Sequence, residues 1–182
     1  MFNIFSKKKL IEIINKLETA CLTGHRPDKL PWFYDETKEN CIKFKEDLRQ
    51  IFEGAIKYGI KNFLTGMAEG FDMIATEILL KLRNIYNIKI IAVIPCLDQE
   101  KLWHPSQQDR YHKIIKQCNE SIILSNIYTN TCMNDRNKFM IAHSSVVIAC
   151  YNGQSSGTKN TIRFAKENGC KIKIINPQVY YI

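Results

Sequence analysis

Residues 65–72 of the 182-residue chain read Thr-Gly-Met-Ala-Glu-Gly-Phe-Asp, and the predicted fold is built around them. An apolar run at residues 60–64 precedes it, and apolar residues at helical spacing follow it over residues 74–82. This order predicts a strand, a glycine-containing turn and a helix. Such a junction directs backbone N–H groups and the positive end of a helix dipole at one point, which suits a phosphate or carboxylate. The same residues also fit a tight turn that holds no ligand.

The pattern of strand, turn and helix recurs along the chain. Apolar runs predict six strands, at residues 19–23, 60–64, 88–94, 121–125, 145–150 and 171–175. Helical periodicity predicts five helices between them, at residues 36–59, 69–84, 106–118, 134–143 and 157–168. The third run is almost wholly apolar, which is typical of a strand covered on both faces in a parallel sheet. The alternation predicts an α/β fold with a doubly wound, mainly parallel sheet flanked by helices.

Length and composition indicate one globular domain without a membrane span. With 45% hydrophobic and 24% charged residues, the composition is that of a globular protein and not of a disordered one. No apolar run approaches the roughly 20 residues that a membrane helix needs. Glu12, Asn15 and Lys16 interrupt the apolar residues near the N-terminus, which argues against a signal peptide. We therefore expect a soluble cytoplasmic protein. Residues 1–17 would be an N-terminal extension (a short amphipathic helix or a loosely tethered arm) and residues 18–182 the domain.

The seven cysteines favour buried thiols over a metal site. They are odd in number, are spread about one to each predicted element, and form no Cys-x-x-Cys pair. Cys21, Cys96, Cys150 and Cys170 lie in or beside strand-like runs, as expected of buried thiols in a reducing compartment. No two cysteines or histidines have the spacing of zinc ligands, so we predict no metal.

The positive charge is concentrated in the last third of the chain. The net charge is +8, and residues 121–182 carry seven basic and only two acidic side chains. An anionic ligand near this part of the chain would explain the bias, and so would nucleic acid. A solvated surface requires neither partner and is the commonest explanation of such a charge bias.

Polar or glycine-containing loops follow four of the predicted strands, at residues 23–26, 66–72, 95–103 and 151–158. In doubly wound sheets, ligands bind at the carboxyl ends of the strands, near a switch in strand order. We therefore expect the four loops to meet along one edge of the sheet and to share one ligand.

The loop after the first strand, Thr23-Gly24-His25-Arg26, combines a hydroxyl, a flexible backbone and two side chains that bind anions. Arg26 can hold a phosphate through two hydrogen bonds, and His25 can donate to one or act as an acid or base. A polar turn in which Arg26 pairs with an acidic neighbour is the alternative.

The loop after the second strand offers glycines and carboxylates. Gly66 and Gly70 would allow a ligand to approach the backbone closely, although their spacing differs from that of the dinucleotide-binding Gly-x-Gly-x-x-Gly motif. Glu69 and Asp72 lie near a predicted helix N-terminus, where they either cap the helix or bind ribose hydroxyls. Glu69 is also the candidate for general acid–base catalysis.

Three further segments add candidate contacts. Arg136 shares a helical stripe with Met140 and His143, and the alternative to a ligand role is a helix that packs Met140 and solvates Arg136. Residues 151–158 form a second strand-to-helix turn that could cradle a phosphate, with Thr158 also able to cap the helix. Trp103 could stack on a base, or it could pack in a surface aromatic cluster.

Five ordered blocks match one known family. They are residues 21–27 with 29–31; residues 65–72; residues 94–96 with 99–101 and 103; residues 132–133 with 136–137 and 140; and residues 143–145 with 151–153 and 157–158. These blocks resemble the YpsA-like proteins of the SLOG superfamily, which also holds the LOG nucleotide hydrolases and the DNA-processing protein A family. The resemblance covers about residues 19–177.

The resemblance implies one Rossmann-like SLOG domain of a bacterial protein that binds or senses a nucleotide or ADP-ribose-like small molecule at the strand ends. It implies no further cofactor. Ser156 replaces one glycine of the Gly-Gly-Thr that the family usually has, and Ala142 stands where an aspartate is often found. Both replacements would weaken or alter the binding of the ligand.

Two other functions remain open beside ligand binding. The LOG enzymes cut an N-glycosidic bond and carry a glutamate after their Gly-Thr, which this chain lacks, so Glu69 would have to serve. The DNA-processing relatives and the basic last third suggest single-stranded DNA binding, although the basic residues are dispersed. We expect no membrane partner, and a homo-oligomer is left open.

The residues predicted to contact the ligand come from these loops and from the matching blocks. They are Thr23, Gly24, His25, Arg26, Gly66, Met67, Ala68, Glu69, Gly70, Asp72, Pro95, Trp103, Arg136, Gly153, Ser156, Gly157 and Thr158.

Overall fold

A computed structural model describes residues 14–181. This part of the chain contains six strands: β1 (Thr19–Gly24), β2 (Asn62–Thr65), β3 (Lys89–Ile94), β4 (Glu120–Ile123), β5 (Val146–Cys150) and β6 (Lys171–Ile175). It also contains five α-helices: α1 (Glu39–Lys57), α2 (Phe71–Leu82), α3 (Pro105–Ile115), α4 (Cys132–Ala142) and α5 (Gly157–Glu167). Short 3₁₀ helices lie at Lys16–Glu18, Pro27–Lys29 and Pro177–Tyr180. None of the helices within residues 14–181 has both the length and the apolar character needed to cross a membrane.

Every predicted strand and helix is present, and only the ends differ. The helix predicted at residues 36–59 begins at Glu39, because Asp35 and Thr37 form a turn in which Thr37 Oγ1 donates to Asp35 Oδ1 at 2.5 Å. The helix predicted from residue 69 begins at Phe71. Gly70 before it has a φ of +84°, which lies outside the helical region.

The N-terminal extension predicted for residues 1–17 falls mostly outside the described residues, which begin at residue 14. Within the described part, Lys16–Glu18 forms a 3₁₀ turn, and the N–H of Leu17 donates to Asn15 Oδ1 at 3.1 Å. The choice between a short helix and a tethered arm for the remainder stays a prediction.

The sheet is parallel throughout, with the strand order β4-β3-β2-β1-β5-β6. The chain builds outward from β1 to β4 and then returns to place β5 on the other side of β1. The order therefore reverses between β1 and β5, where the loops diverge and leave a crevice at the carboxyl ends. This arrangement confirms the predicted Rossmann-like, doubly wound fold.

Helices cover both faces of the sheet. On β1, Leu22 belongs to the hydrophobic cluster that α1, α2 and α3 build on one face. Its neighbour Cys21 belongs to the cluster that α4 and α5 build on the other face. Both side chains are fully buried, which explains why the central strands read as continuous apolar runs. All seven cysteines are free thiols, and six of them are buried.

An aromatic group ties the loop before α1 to the core. The ring of Phe44 on α1 lies 4.8 Å from that of Trp32, 6.4 Å from that of Phe71 and 5.5 Å from that of Tyr180, measured between ring centroids. Phe71 and Tyr180 meet Phe44 edge-on, an arrangement that aromatic rings prefer. The group fixes the start of α2 and the 3₁₀ turn at Pro177–Tyr180 against α1.

We predict that Phe44→Ala lowers the free energy of unfolding by about 3–5 kcal/mol, since it removes a fully buried ring and leaves a cavity. Urea unfolding followed by circular dichroism measures the change. Ile42→Ala is the matched control, because Ile42 lies on the same helix and is 58% exposed. Its effect should stay within about 0.5 kcal/mol. Equal losses in the two variants would contradict this description of the core.

Candidate functional site

A cleft of about 280 Å³ lies at the carboxyl ends of β1 and β5, where the strand order reverses. We call it the cleft. It is lined by the end of β1 and the loop after it, by the loop before α2, by the first turns of α4 and by the start of α5. Its lining residues are Leu22, Thr23, Gly24, His25, Arg26, Asp28, Lys29, Ala68, Asp72, Met133, Arg136, Asn137, Ser156, Gly157 and Thr158.

The buried guanidinium of Arg136 holds the loop after β2. Its Nη1 donates to the carbonyl oxygen of Gly66 at 2.5 Å, and Nε2 of Gln99 donates to that of Met67 at 3.1 Å. A Cβ atom on Gly66 would lie 1.8 Å from Nη1 and 2.4 Å from Cζ of Arg136. Gly66 thus leaves room for the Arg136 side chain and not for a ligand. Glycine is required at this position because a side chain there would clash with the guanidinium.

The loop after β2 also packs against the loop after β1. Gly70 has a φ of +84°, and a Cβ atom there would lie 2.7 Å from the carbonyl oxygen of His25. The N–H of Phe71 donates to the same oxygen at 3.1 Å. A Cβ atom on Gly24 would lie 2.4 Å from the ring of Phe71. The glycines therefore let the two loops touch along their backbones, and this contact fixes one wall of the cleft.

Asp72 and Arg136 place opposite charges at the base of the cleft. Both are only 5% exposed. Burial raises the pKa of the Asp72 carboxyl, and the nearby charge of Arg136 opposes that rise. Burial likewise lowers the pKa of Arg136, and Asp72 opposes that fall. Asp72 Oδ2 also accepts from the N–H of Ala68 at 3.3 Å, so the carboxylate orders the loop and balances the buried cation.

His25 connects the loops after β1 and β5. Its Nε2 lies 2.8 Å from Oδ1 of Asn152 and 3.1 Å from the backbone nitrogen of the same residue. Its ring centroid is 5.7 Å from that of Tyr151. Burial lowers the pKa of His25, while the hydrogen bond with Asn152 acts in the opposite direction. The imidazole therefore serves as a neutral bridge across the point where the strand order reverses.

The start of α5 forms the opposite wall. Ser156 caps the helix, its Oγ accepting from the N–H of Lys159 at 3.3 Å. Thr161 Oγ1 donates to the carbonyl oxygen of Gly157 at 3.0 Å and accepts from Nδ2 of Asn137 at 2.9 Å, which ties this turn to α4. The N–H groups of a first helical turn have no partner within the helix. Together with the helix dipole they favour an anion in the cleft.

Lys29 spans the opening of the cleft. Its Nζ donates to the carbonyl oxygen of Ser155 at 3.3 Å. With Arg26 and Arg136 it places three cationic side chains in the lining, against the carboxylates of Asp28 and Asp72. The positive end of α5 adds to this surplus, so the cleft is suited to an anionic group.

Two of the predicted ligand contacts, Glu69 and Trp103, lie just outside the cleft near Arg26, together with Tyr34. Cζ of Arg26 lies 5.8 Å from the ring centroid of Trp103. The hydroxyl of Tyr34 donates to Oε1 of Glu69 at 3.4 Å. Burial raises the pKa of Glu69, and the charge of Arg26 opposes that rise. We call Tyr34, Glu69 and Trp103 the rim.

The structure brings most of the predicted ligand contacts together in the cleft. It places Gly66, Met67 and Gly70 behind the lining, where they support the loop, and Glu69 and Trp103 on the rim. Pro95 is buried after β3, and Gly153 is exposed with a φ of +90°, so neither lines the cleft. The catalytic role considered for Glu69 stays a prediction.

Sequence reasoning missed five lining residues, namely Leu22, Asp28, Lys29, Met133 and Asn137. Lys29 could have been found, because it follows Arg26 by three residues on a 3₁₀ turn, where side chains at that spacing point the same way. Asn137 lay in one of the matching blocks, but its place in the cleft could not be predicted, since it depends on the hydrogen bond to Thr161 on the next helix.

Sequence comparison relates the chain to bacterial proteins. The family model for YpsA, described as the YspA SLOG family, matches residues 20–179. The uncharacterized SPbeta prophage-derived protein YoqJ of Bacillus subtilis is 29% identical over 140 residues, covering 69% of this chain and 82% of YoqJ. A UPF0398 protein of Bacillus thuringiensis is 25% identical over 171 residues, covering 91% of this chain and 90% of that protein.

Two solved structures have a similar fold. DNA processing protein A of Helicobacter pylori, described for its single-stranded DNA binding mode, gives a TM-score of 0.59 at 21% identity over 93% of this chain and 68% of its own. DNA processing protein A of Streptococcus pneumoniae gives 0.60 at 19% identity over 87% of this chain and 50% of its own. The chain thus spans about half the length of the second protein. At these identities the similarity shows the fold alone.

We predict that Gly66→Ala lowers the free energy of unfolding by about 2 kcal/mol or more, because its Cβ would displace the guanidinium of Arg136 and break a buried hydrogen bond. Gly54→Ala on α1 is the control, since nothing lies within 4 Å of its added Cβ. That change should be neutral or stabilise by up to about 1 kcal/mol. Chemical unfolding compares the two, and a Gly66→Ala protein as stable as wild type would be incompatible with the observed contact.

We also predict that stability falls as the pH drops through about 6.5. The folded pKa of His25 is lowered below 6.5, so the unfolded chain takes up a proton first and is favoured by acid. Above pH 6.5, His25 is neutral in both states, and its full contribution to the free energy of unfolding is present. The free energy of unfolding should be measured between pH 5.5 and 8 for wild type and His25→Gln. The variant should show the weaker pH dependence, whereas equal slopes would refute a neutral, buried His25.

Proposed function

Since the chain belongs to the YpsA family of SLOG proteins, we propose that it binds a phosphate-bearing, nucleotide-derived small molecule in the cleft. The observation that carries the proposal is a convergence of anion-binding groups. The first turn of α5 and the side chains of Arg26, Lys29 and Arg136 line one cleft, at the point in the sheet where strand order reverses. Ligands of doubly wound sheets bind at such points.

The groups of the cleft have complementary tasks in this proposal. Backbone N–H groups of Gly157 and Thr158 donate to phosphate oxygens, which are favoured at the positive end of α5. Arg26 and Lys29 supply charge from the other wall, and neither forms an ion pair within 4 Å among the salt bridges of residues 14–181. Arg136 donates to the carbonyl oxygen of Gly66 and lies near the charge of Asp72, so it contributes positive potential at the base of the cleft and no direct contact with the ligand.

A second candidate is single-stranded DNA binding, which a specific surface favours. Lys159, Arg163 and Lys166 are exposed on α5 at helical spacing and extend away from the cleft. Positive side chains in a row can follow a phosphate backbone. The small molecule is the better fit, because His25 and Lys29 connect the loop after β1 to residues 152–155 and so limit the room for a polymer strand in the cleft.

The test is thermal unfolding of the full chain with millimolar inorganic phosphate, ADP-ribose, NAD and mononucleotides or cyclic nucleotides. A ligand at 100 times its dissociation constant should stabilise the fold by about 2.7 kcal/mol. Lys29→Ala should weaken binding roughly tenfold, as expected for loss of a charged hydrogen bond. Lys173→Ala is the control, since it removes an equal charge from the exposed part of β6.

Two results would count against the small-molecule proposal. One is that no compound raises the unfolding temperature; the other is that the two lysine variants bind the ligand equally well. Binding of an oligonucleotide that weakens steeply with salt, and that Lys159→Ala reduces, would favour DNA instead.

A further inference from the structure

We propose that the rim is a second subsite, which receives the ribose and base of the ligand whose phosphate lies in the cleft. The inference rests on the proposed function and makes it more specific. It assigns the ligand to the nucleotides, as opposed to phosphate alone or a sugar phosphate.

Arg26 joins the two subsites. It lines the cleft, and its guanidinium also lies 5.8 Å from the ring centroid of Trp103. Guanidinium groups bind phosphates at their edge and stack flat groups on their faces. A single ligand that reaches out of the cleft past Arg26 would therefore arrive at Trp103.

Trp103 has a fixed orientation although it is only half-buried. Its ring meets that of Tyr111 edge-on, with centroids 5.5 Å apart and planes at 86°. Tyr111 is 4% exposed and so belongs to the core. The Trp103 backbone is held on both sides: its N–H donates to the carbonyl oxygen of Glu100 at 2.8 Å, and its carbonyl accepts from Nε2 of Gln108 at 3.0 Å. A held, partly open aromatic ring is a platform on which a base can stack.

Glu69 sets the direction in which the ligand lies. Gly70 packs on the backbone of residues 25–27, which holds Glu69 beside Arg26. Among the described residues its carboxylate forms no salt bridge within 4 Å, and Tyr34 reaches only one oxygen at 3.4 Å. A carboxylate repels phosphate and accepts hydrogen bonds from hydroxyls. The phosphate is therefore directed to the cleft, and the ribose hydroxyls are directed to the rim.

The experiment is calorimetric titration of the full chain with inorganic phosphate, ribose 5-phosphate and AMP. In the wild type, AMP should bind roughly tenfold or more tightly than ribose 5-phosphate, the gain that one stacked base provides. Trp103→Ala should remove that gain and leave the affinity for ribose 5-phosphate unchanged. Trp103→Phe should restore most of it. Glu69→Gln should weaken binding of ribose 5-phosphate and AMP but not of inorganic phosphate.

Tyr58→Ala is the control for loss of an exposed aromatic ring, because Tyr58 lies at the end of α1, next to the start of β6. Unfolding temperatures establish that each variant is folded. The inference is overturned if ribose 5-phosphate binds as tightly as AMP, or if Trp103→Ala weakens both ligands alike. In those cases the proposal that the cleft binds phosphate is retained. If none of the three compounds binds, the inference also fails, and the proposed function fails with it when ADP-ribose, NAD and cyclic nucleotides leave the unfolding temperature unchanged as well.

Discussion

Arg136 extends from α4 to the carboxyl end of β2, where its Nη1 donates to the carbonyl oxygen of Gly66, and the arrangement of the cleft depends on this contact. The guanidinium occupies the space that a side chain at residue 66 would need. Its Nε donates to Oδ1 of Asn137 at 2.8 Å, and Asn137 in turn holds Thr161 on α5. One buried cation thereby positions the loop after β2, the start of α4 and the wall formed by α5.

A buried cation of this kind is tolerated only with compensation. The desolvation of a guanidinium is costly, and the neighbouring carboxylate of Asp72 offsets it. Asp72 is in turn held by the N–H of Ala68, so the charge pair and the backbone of the loop stabilise one another. Loss of either charge would leave the other buried and uncompensated. The loop thus owes its shape to electrostatics at its base as much as to the glycines in its sequence.

The fold could be predicted because apolar runs report burial directly, and β1 and β3 are buried on both faces. The position of the cleft could be predicted as well, because crevices in doubly wound sheets lie at the carboxyl ends of the strands, where the strand order reverses. The roles of individual residues were harder to predict. Gly66 and Gly70 looked open to a ligand, but the atoms that fill the space beside them belong to Arg136 and to the backbone of His25. His143 shared a predicted stripe with Arg136, yet it lies at the far end of α4, with Nδ1 2.8 Å from the carbonyl oxygen of Phe139. The contacts beside Gly66 and Gly70 join distant parts of the chain, which local patterns do not record.

The pairing of β1 with β5 has a consequence for the order in which the molecule folds. The bridge between His25 and Asn152 joins residues 127 positions apart, whereas β1 pairs with β2 across a much shorter separation. Pairings of such long range form slowly, because closing the intervening loop costs entropy before any contact is gained. During synthesis, β1 to β4 leave the ribosome well before β5 does. The cleft lies between β1 and β5, so it comes into existence only when nearly all of the chain has been made, and a partly synthesised protein has no cleft.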